Sequence, residues 1–271
     1  MGVFEKMRFS WGEKQKKVNP FRYFFFKCLI VVFVLLAFSP ASGLTAESTD
    51  MLKSKALKYY YGLGVKKNLN QAFWLYLKAA EQGDVDAMFI VGGLYMKGQG
   101  TPVNRAEAFK WLYDAAINGR SSKESQKILA EFFLTGQGVP QNYTEALQWY
   151  ELAAEGGDLE AQNELAYLYF TGQRVEKDYE KAHHWFKQAA EKGYALAQYN
   201  IGILWYTGNG VPAVDHVKAY AWFNLAAANG HADGEMAKNF LETRLNKEEL
   251  RRAQELSILL YKEMESMQST P

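Results

Sequence analysis

A polar residue, an alanine, a bulky apolar residue, an Ala-Ala pair and a closing glycine recur in the same register five times along this chain. The clearest copy is Asn104, Ala108, Trp111, Ala115, Ala116, Gly119. The frame returns at Asn142, Ala146, Trp149, Ala153, Ala154, Gly157, at Asp178, Ala182, Trp185, Ala189, Ala190, Gly193, and at Asp215, Ala219, Trp222, Ala226, Ala227, Gly230. An earlier copy reads Asn68, Ala72, Leu75, Ala79, Ala80, Gly83, with Trp74 one place ahead of the tryptophan column. The closing glycines, at 83, 119, 157, 193 and 230, step by 36, 38, 36 and 37 residues. A fixed period of this length marks a solenoid, because no single unit can bury its own apolar face.

Each unit reads as two helices, which makes the fold all-α. In the second unit Ala87, Val91, Leu94 and Tyr95 fall at three- and four-residue steps, one buried helical face. The loop Gly98-Gln99-Gly100 ends this helix and turns the chain. The second helix opens at Asn104 with Glu107 three residues on; Asn68 with Gln71 is a similar pair, predicted to satisfy two free N–H groups reciprocally. Alanine admits a neighbouring helix closely, and tryptophan is expected to fill the space beyond. On that reading Trp149→Ala costs on the order of 3–5 kcal/mol. The predicted layout is a leader or anchor over 1–46, a linker over 47–51, and repeats over 52–83, 84–119, 120–157, 158–193 and 194–230. Capping helices follow over 231–271: one from Ala232 to Leu245, and a closing helix headed by Asn246 and Glu249.

The eleven residues Cys28 to Phe38 (CLIVVFVLLAF) are apolar, follow a basic stretch and precede small residues. That order is a secretory signal peptide. Eleven helical residues span about 16 Å, roughly half a bilayer core. The basic stretch before them is long, which leaves an uncleaved anchor as the alternative. Residues 1–46 carry seven Lys/Arg and two Glu; setting them aside from totals of 31 and 30 leaves 24 basic and 28 acidic residues. A mildly acidic remainder gives no electrostatic reason to bind nucleic acid. The only cysteine, Cys28, lies in the apolar segment, so the rest has no disulfide, thiol nucleophile or cysteine metal site.

The stretches VGGLYMKGQG…AFKWLYDAAING and IGILWYTGNG…AYAWFNLAAANG, with the closing AKNFLETRLNKEELRRAQEL, resemble the Sel1-like repeat family. The resemblance covers about residues 52–265 and implies a right-handed superhelical solenoid of helix-turn-helix (TPR-like) repeats. It also implies a scaffold or adaptor role in signalling, envelope biology or host contact. Bacterial members are often exported. The expected place is therefore the periplasm of a Gram-negative bacterium, or else an inner-membrane anchor facing it, or secretion. The membrane is touched only through the N-terminal segment if that is not cleaved.

Arrays of helix pairs bind on the face lined by their first helices. The position after the tyrosine column there is apolar in every repeat: Tyr60, Met96, Leu134, Phe170 and Tyr206. A second column on that face reads Lys53, Phe89, Lys127, Asn163 and Tyr199, and between the two lie Leu57, Gly93, Glu131, Tyr167 and Ile203. Tyr60, Phe89, Met96, Tyr167, Phe170, Tyr199 and Tyr206 are thus candidates for a groove that takes another protein or peptide, aromatics being favoured anchors; alternatively they pack against the next repeat. Catalytic residues, metal ligands and cofactor motifs are not predicted. His183 and His184 diverge on a helix and, like His216 and His231, read as solvated. The junction carboxylates Asp84, Asp86, Asp158 and Glu160 sit where helix N-termini favour negative charge. A cysteine-rich branch of the resembled family is linked to β-lactam binding and hydrolysis, but it depends on cysteine pairs that these repeats lack. The expected role is therefore a non-enzymatic, exported interaction scaffold, with a β-lactam enzyme and a membrane-tethered assembly factor as the alternatives.

Overall fold

The structure, a computed structural model, describes residues 47–269; the leader or anchor expected over 1–46 lies outside the described residues. Among the described residues there are twelve helices and no strand. They are α1 Thr49–Tyr61, α2 Leu69–Glu81, α3 Val85–Lys97, α4 Arg105–Ile117, α5 Lys123–Thr135, α6 Tyr143–Glu155, α7 Leu159–Thr171, α8 Tyr179–Glu191, α9 Ala195–Thr207, α10 His216–Ala228, α11 Ala232–Glu242 and α12 Lys247–Ser269. Each helix of the five repeats packs on its neighbours in sequence, and α12 folds back on α10, so contact passes from unit to unit as in a solenoid.

Two predicted boundaries shift. The stretch 47–51 is not a linker throughout, because α1 begins at Thr49: the Ser48 hydroxyl accepts the Met51 N–H at 3.3 Å and starts the helix early. The helix expected to reach Leu245 stops at Glu242.

Within a repeat, the core is set by angular position. Ala72, Ala108, Ala146, Ala182 and Ala219 are fully buried. The residues four further on, Tyr76, Leu112, Tyr150, Phe186 and Phe223, share that helix face and are at most 5% exposed. The tryptophans, one place earlier, are turned toward the flank: Trp111, Trp149 and Trp185 are only partly buried, and Trp222 alone is at 7%. The expectation that the tryptophan column fills the core is corrected accordingly.

The two helices of a repeat are clasped by one recurrent bond. The N–H of each second-helix cap donates to the carbonyl of the first helix's aromatic column: Asn68 to Tyr59 at 2.9 Å, Asn104 to Tyr95 at 3.1 Å, Asn142 to Phe133 at 2.9 Å, Asp178 to Tyr169 at 3.0 Å and Asp215 to Trp205 at 2.9 Å. The reciprocal pair predicted at Asn68 and Gln71 is therefore half formed. Asn68 Oδ1 accepts the Gln71 N–H at 3.0 Å, while the Asn68 N–H is taken by Tyr59. At Asn246 and Glu249 both bonds form, at 2.9 and 3.0 Å.

The outer face of the first repeat is polar for a reason visible in the columns. Val91, Leu129, Leu165 and Ile201 are buried against the preceding repeat; the matching residue in α1 is Lys55, which pairs with Glu47. Leu94, Phe132, Leu168 and Leu204 likewise correspond to Lys58. An end face needs such polarity to stay in water.

Neighbouring repeats are joined by caps and ions as well as by apolar contact. Asp84 caps α3, accepting the Ala87 N–H at 2.8 Å, and meets Lys53 of the preceding repeat at 2.7 Å. Burial pushes the Asp84 carboxyl up, but the Lys53 ammonium and the Ala87 N–H outweigh it and hold it below its ordinary value. A depressed carboxyl contributes stability that is present above the unfolded-state value and is lost as pH falls through the folded one. Asp84→Ala should therefore cost about 1–2 kcal/mol at neutral pH. Asp84→Asn keeps the cap and should lose only the part of the stability that fades below about pH 4. Urea unfolding at neutral and acidic pH checks this, and an Asp84→Asn curve as pH-dependent as wild type's would refute it.

A second link is a glutamine. In α9 the Gln198 Nε2 donates to the Ala190 carbonyl at 3.1 Å, and its Oε1 accepts from Asn229 Nδ2 at 2.8 Å. One repeat earlier Gln162 Nε2 donates to Ala154 at 2.8 Å, but its buried Oε1 has no partner. The residue in the Asn229 column there is Lys192. Lys192→Asn should supply the donor and stabilise the protein by about 1 kcal/mol, read as a raised melting temperature. An unchanged or lowered melting point would show that the asparagine does not reach.

The junction between α4 and α5 differs from the others. It holds two additional residues within Arg120-Ser121-Ser122, and its helices approach over the shortest length of any junction between repeats. Aromatic rings fill it: Phe109 stands edge-on to Phe132 at 5.7 Å and to Phe133 at 5.1 Å, and Tyr113 to Trp149 at 6.0 Å.

Candidate interaction surface

The first helices α1, α3, α5, α7 and α9 carry the predicted face. Of its seven candidates none is fully buried: Tyr167 is 48% exposed, and Tyr60, Phe89, Met96, Phe170, Tyr199 and Tyr206 are partly buried. Much of their surface is spent on neighbours. Tyr60 Oη donates to Gln99 Oε1 at 2.8 Å, Phe89 lies under the Arg120 guanidinium at 5.4 Å, and the Phe170 ring meets Tyr179 at 5.7 Å.

The structure gathers Tyr199 and Tyr206 into one depression of about 400 Å³ between α9 and α11, with Ile203, Phe223, Asp233, Met236, Ala237 and Phe240. Met96 lines a separate cleft of about 220 Å³ with Arg105, Ile128, Glu131 and Phe132. Tyr60, Phe89, Tyr167 and Phe170 line neither. Tyr60, Phe89 and Phe170 are held instead by Gln99, Arg120 and Tyr179, and Tyr167 stands in the open.

Met236, 62% exposed, and Phe240, 42% exposed, were not among the predicted residues. They continue the columns: each lies 37 places after its counterpart, Tyr199 or Ile203, the spacing of the last repeat step. Extending the period past Gly230 finds them.

Polar groups frame the depression. The His231 ring stacks on Tyr199 with centroids at 4.8 Å, and its Nδ1 accepts the Gly234 N–H at 3.1 Å, capping α11. His216 stacks on Tyr206 at 5.3 Å. His183, read from sequence as solvated, is partly buried edge-on to Trp205 at 6.4 Å, and burial lowers its affinity for a proton. Burial, with the nearby Asp233 carboxylate, raises the Tyr199 phenol. Among the described residues no three His, Cys, Asp or Glu side chains converge as a metal site, and no helix is long and apolar enough to cross a membrane. What the arrangement can do is hold apolar side chains by burying area, with charge at the rim to choose among them.

An all-α array of stacked helix pairs whose surface feature is an open apolar depression defines a repeat scaffold of the kind suited to contact with other proteins. The chain belongs to the Sel1 repeat family, whose repeat matches residues 56–84, 85–119, 123–158, 159–194 and 195–231. Its fold is similar to the crystal structure of a Sel1 repeat protein from Oxalobacter formigenes, with 36% identity and a TM-score of 0.60 over 67% of this chain and 74% of that one. It is also similar to c5321, a protective antigen present in uropathogenic Escherichia coli strains, at 27% identity and a TM-score of 0.48. That match covers 82% of this chain and 56% of the antigen. Among curated proteins none matches the sequence.

Proposed function

We propose that this protein is a non-catalytic, exported adaptor of the bacterial cell envelope, binding another protein along its first-helix face. The observation that carries the reading is the apolar column of that face, which stays partly open and ends in the depression at Tyr199 and Tyr206. Export rests on the basic, apolar, small order of residues 1–46.

Crosslinking in native envelopes, comparing wild type with the Tyr167→Ala, Tyr206→Ala double variant, tests it. A partner captured by wild type and lost from the variant is expected; identical capture by both would refute binding through this face. N-terminal sequencing of the mature protein tests export, and a soluble protein still beginning at Met1 would count against it.

A further inference from the structure

The depression between α9 and α11 has an exposed wall, Met236 and Phe240, facing the partly buried Tyr199, Ile203 and Tyr206. Large apolar side chains grouped on an open surface mark a contact site. The wide mouth suits the side chains of a passing segment better than an enclosed small molecule.

Charge selects the occupant. Two cations nearby are engaged: Arg244 lies over the Phe240 ring at 3.6 Å and donates to the Phe240 carbonyl, and Lys218 lies over Trp205 at 4.0 Å and pairs with Asp215. The carboxylate that lines the depression is not: Asp233 has no ion-pair partner among the described residues.

We infer that this depression receives a segment of a partner protein bearing a pair of bulky apolar side chains beside a lysine or arginine. The apolar pair lies among Tyr199, Tyr206, Met236 and Phe240, and the cation meets Asp233. The inference rests on the reading of the chain as an interaction module and narrows it to one partner chemistry.

Random peptides displayed on phage, selected against the full chain, test it. The enriched sequences, made as fluorescein-labelled peptides, are then titrated by anisotropy. The expected sequences carry an apolar pair beside Lys or Arg. Their affinity should fall about tenfold or more in the Met236→Asp, Phe240→Asp double variant. Selection against Asp233→Lys should instead enrich acidic residues, a reversal that loss of folding cannot produce. Circular dichroism melts keep the variants comparable. Failure to enrich any sequence, enrichment without the apolar pair, or affinity indifferent to all three substitutions would overturn the inference. If the envelope crosslinks still depend on Tyr167 and Tyr206 after such a result, the adaptor reading stands and only this partner chemistry falls.

Discussion

Phe186→Ala is expected to destabilise the protein by about 3–5 kcal/mol. The ring is 1% exposed and sits in a cluster with Ala166, Ala182 and Ala189, so its removal leaves an enclosed void that the surrounding alanines cannot fill. Trp149→Ala, one column to the side and partly open to water, loses covered area without an enclosed cavity and should cost about 2 kcal/mol. Urea unfolding followed by circular dichroism ranks the two. Equal costs would return the tryptophan column to the core. Repeat arrays need not unfold in one step, so midpoints and slopes should be compared together.

Gly100→Ala should be nearly as damaging, at about 3 kcal/mol or more. Gly100 has φ +77°, and an added Cβ would stand 2.1 Å from the Leu69 carbonyl oxygen, in the first turn of the preceding repeat's α2. Backbone strain of about 1–2 kcal/mol is then joined by a clash between repeats. Gly64 is the internal control: its φ is +72°, and nothing lies within 4 Å of the same added atom, so Gly64→Ala should cost the strain alone. Melting temperatures of the two variants separate the effects, and a matched pair of shifts would mean that the repeats slide apart freely. Repeat four shows how the contact can be replaced. Where Gly100 presses on Leu69 and Gly138 on Arg105, Arg174 instead lays its guanidinium over the Tyr143 ring at 5.3 Å.

The periodic parts of this fold are legible in the sequence because each rule acts once per repeat and is written five times. Caps, closing glycines and alanine columns follow from local geometry, and their predicted positions lie close to the observed helix ends. Side-chain size points the tryptophan column into the core, and angle takes it out. Ala108, Leu112 and Ala115 lie four and three residues apart on one face, and Trp111 falls to its side. The depression was half legible: Tyr199 and Tyr206 stand in the columns, whereas Met236 and Phe240 required following the period beyond the last closing glycine. That Phe170 turns onto Tyr179, and Tyr60 onto Gln99, depends on rotamers and on loops from other parts of the array, which no linear pattern encodes.

The shortened seam between α4 and α5 has a mechanical corollary. Pulled from its two ends, a rod of this kind yields where adjoining segments grip each other least, so tension would release the chain in two bursts of extension rather than one. A cantilever trace with a break near residue 120 would register that seam, and a longer insertion there would lower the force at which it gives way.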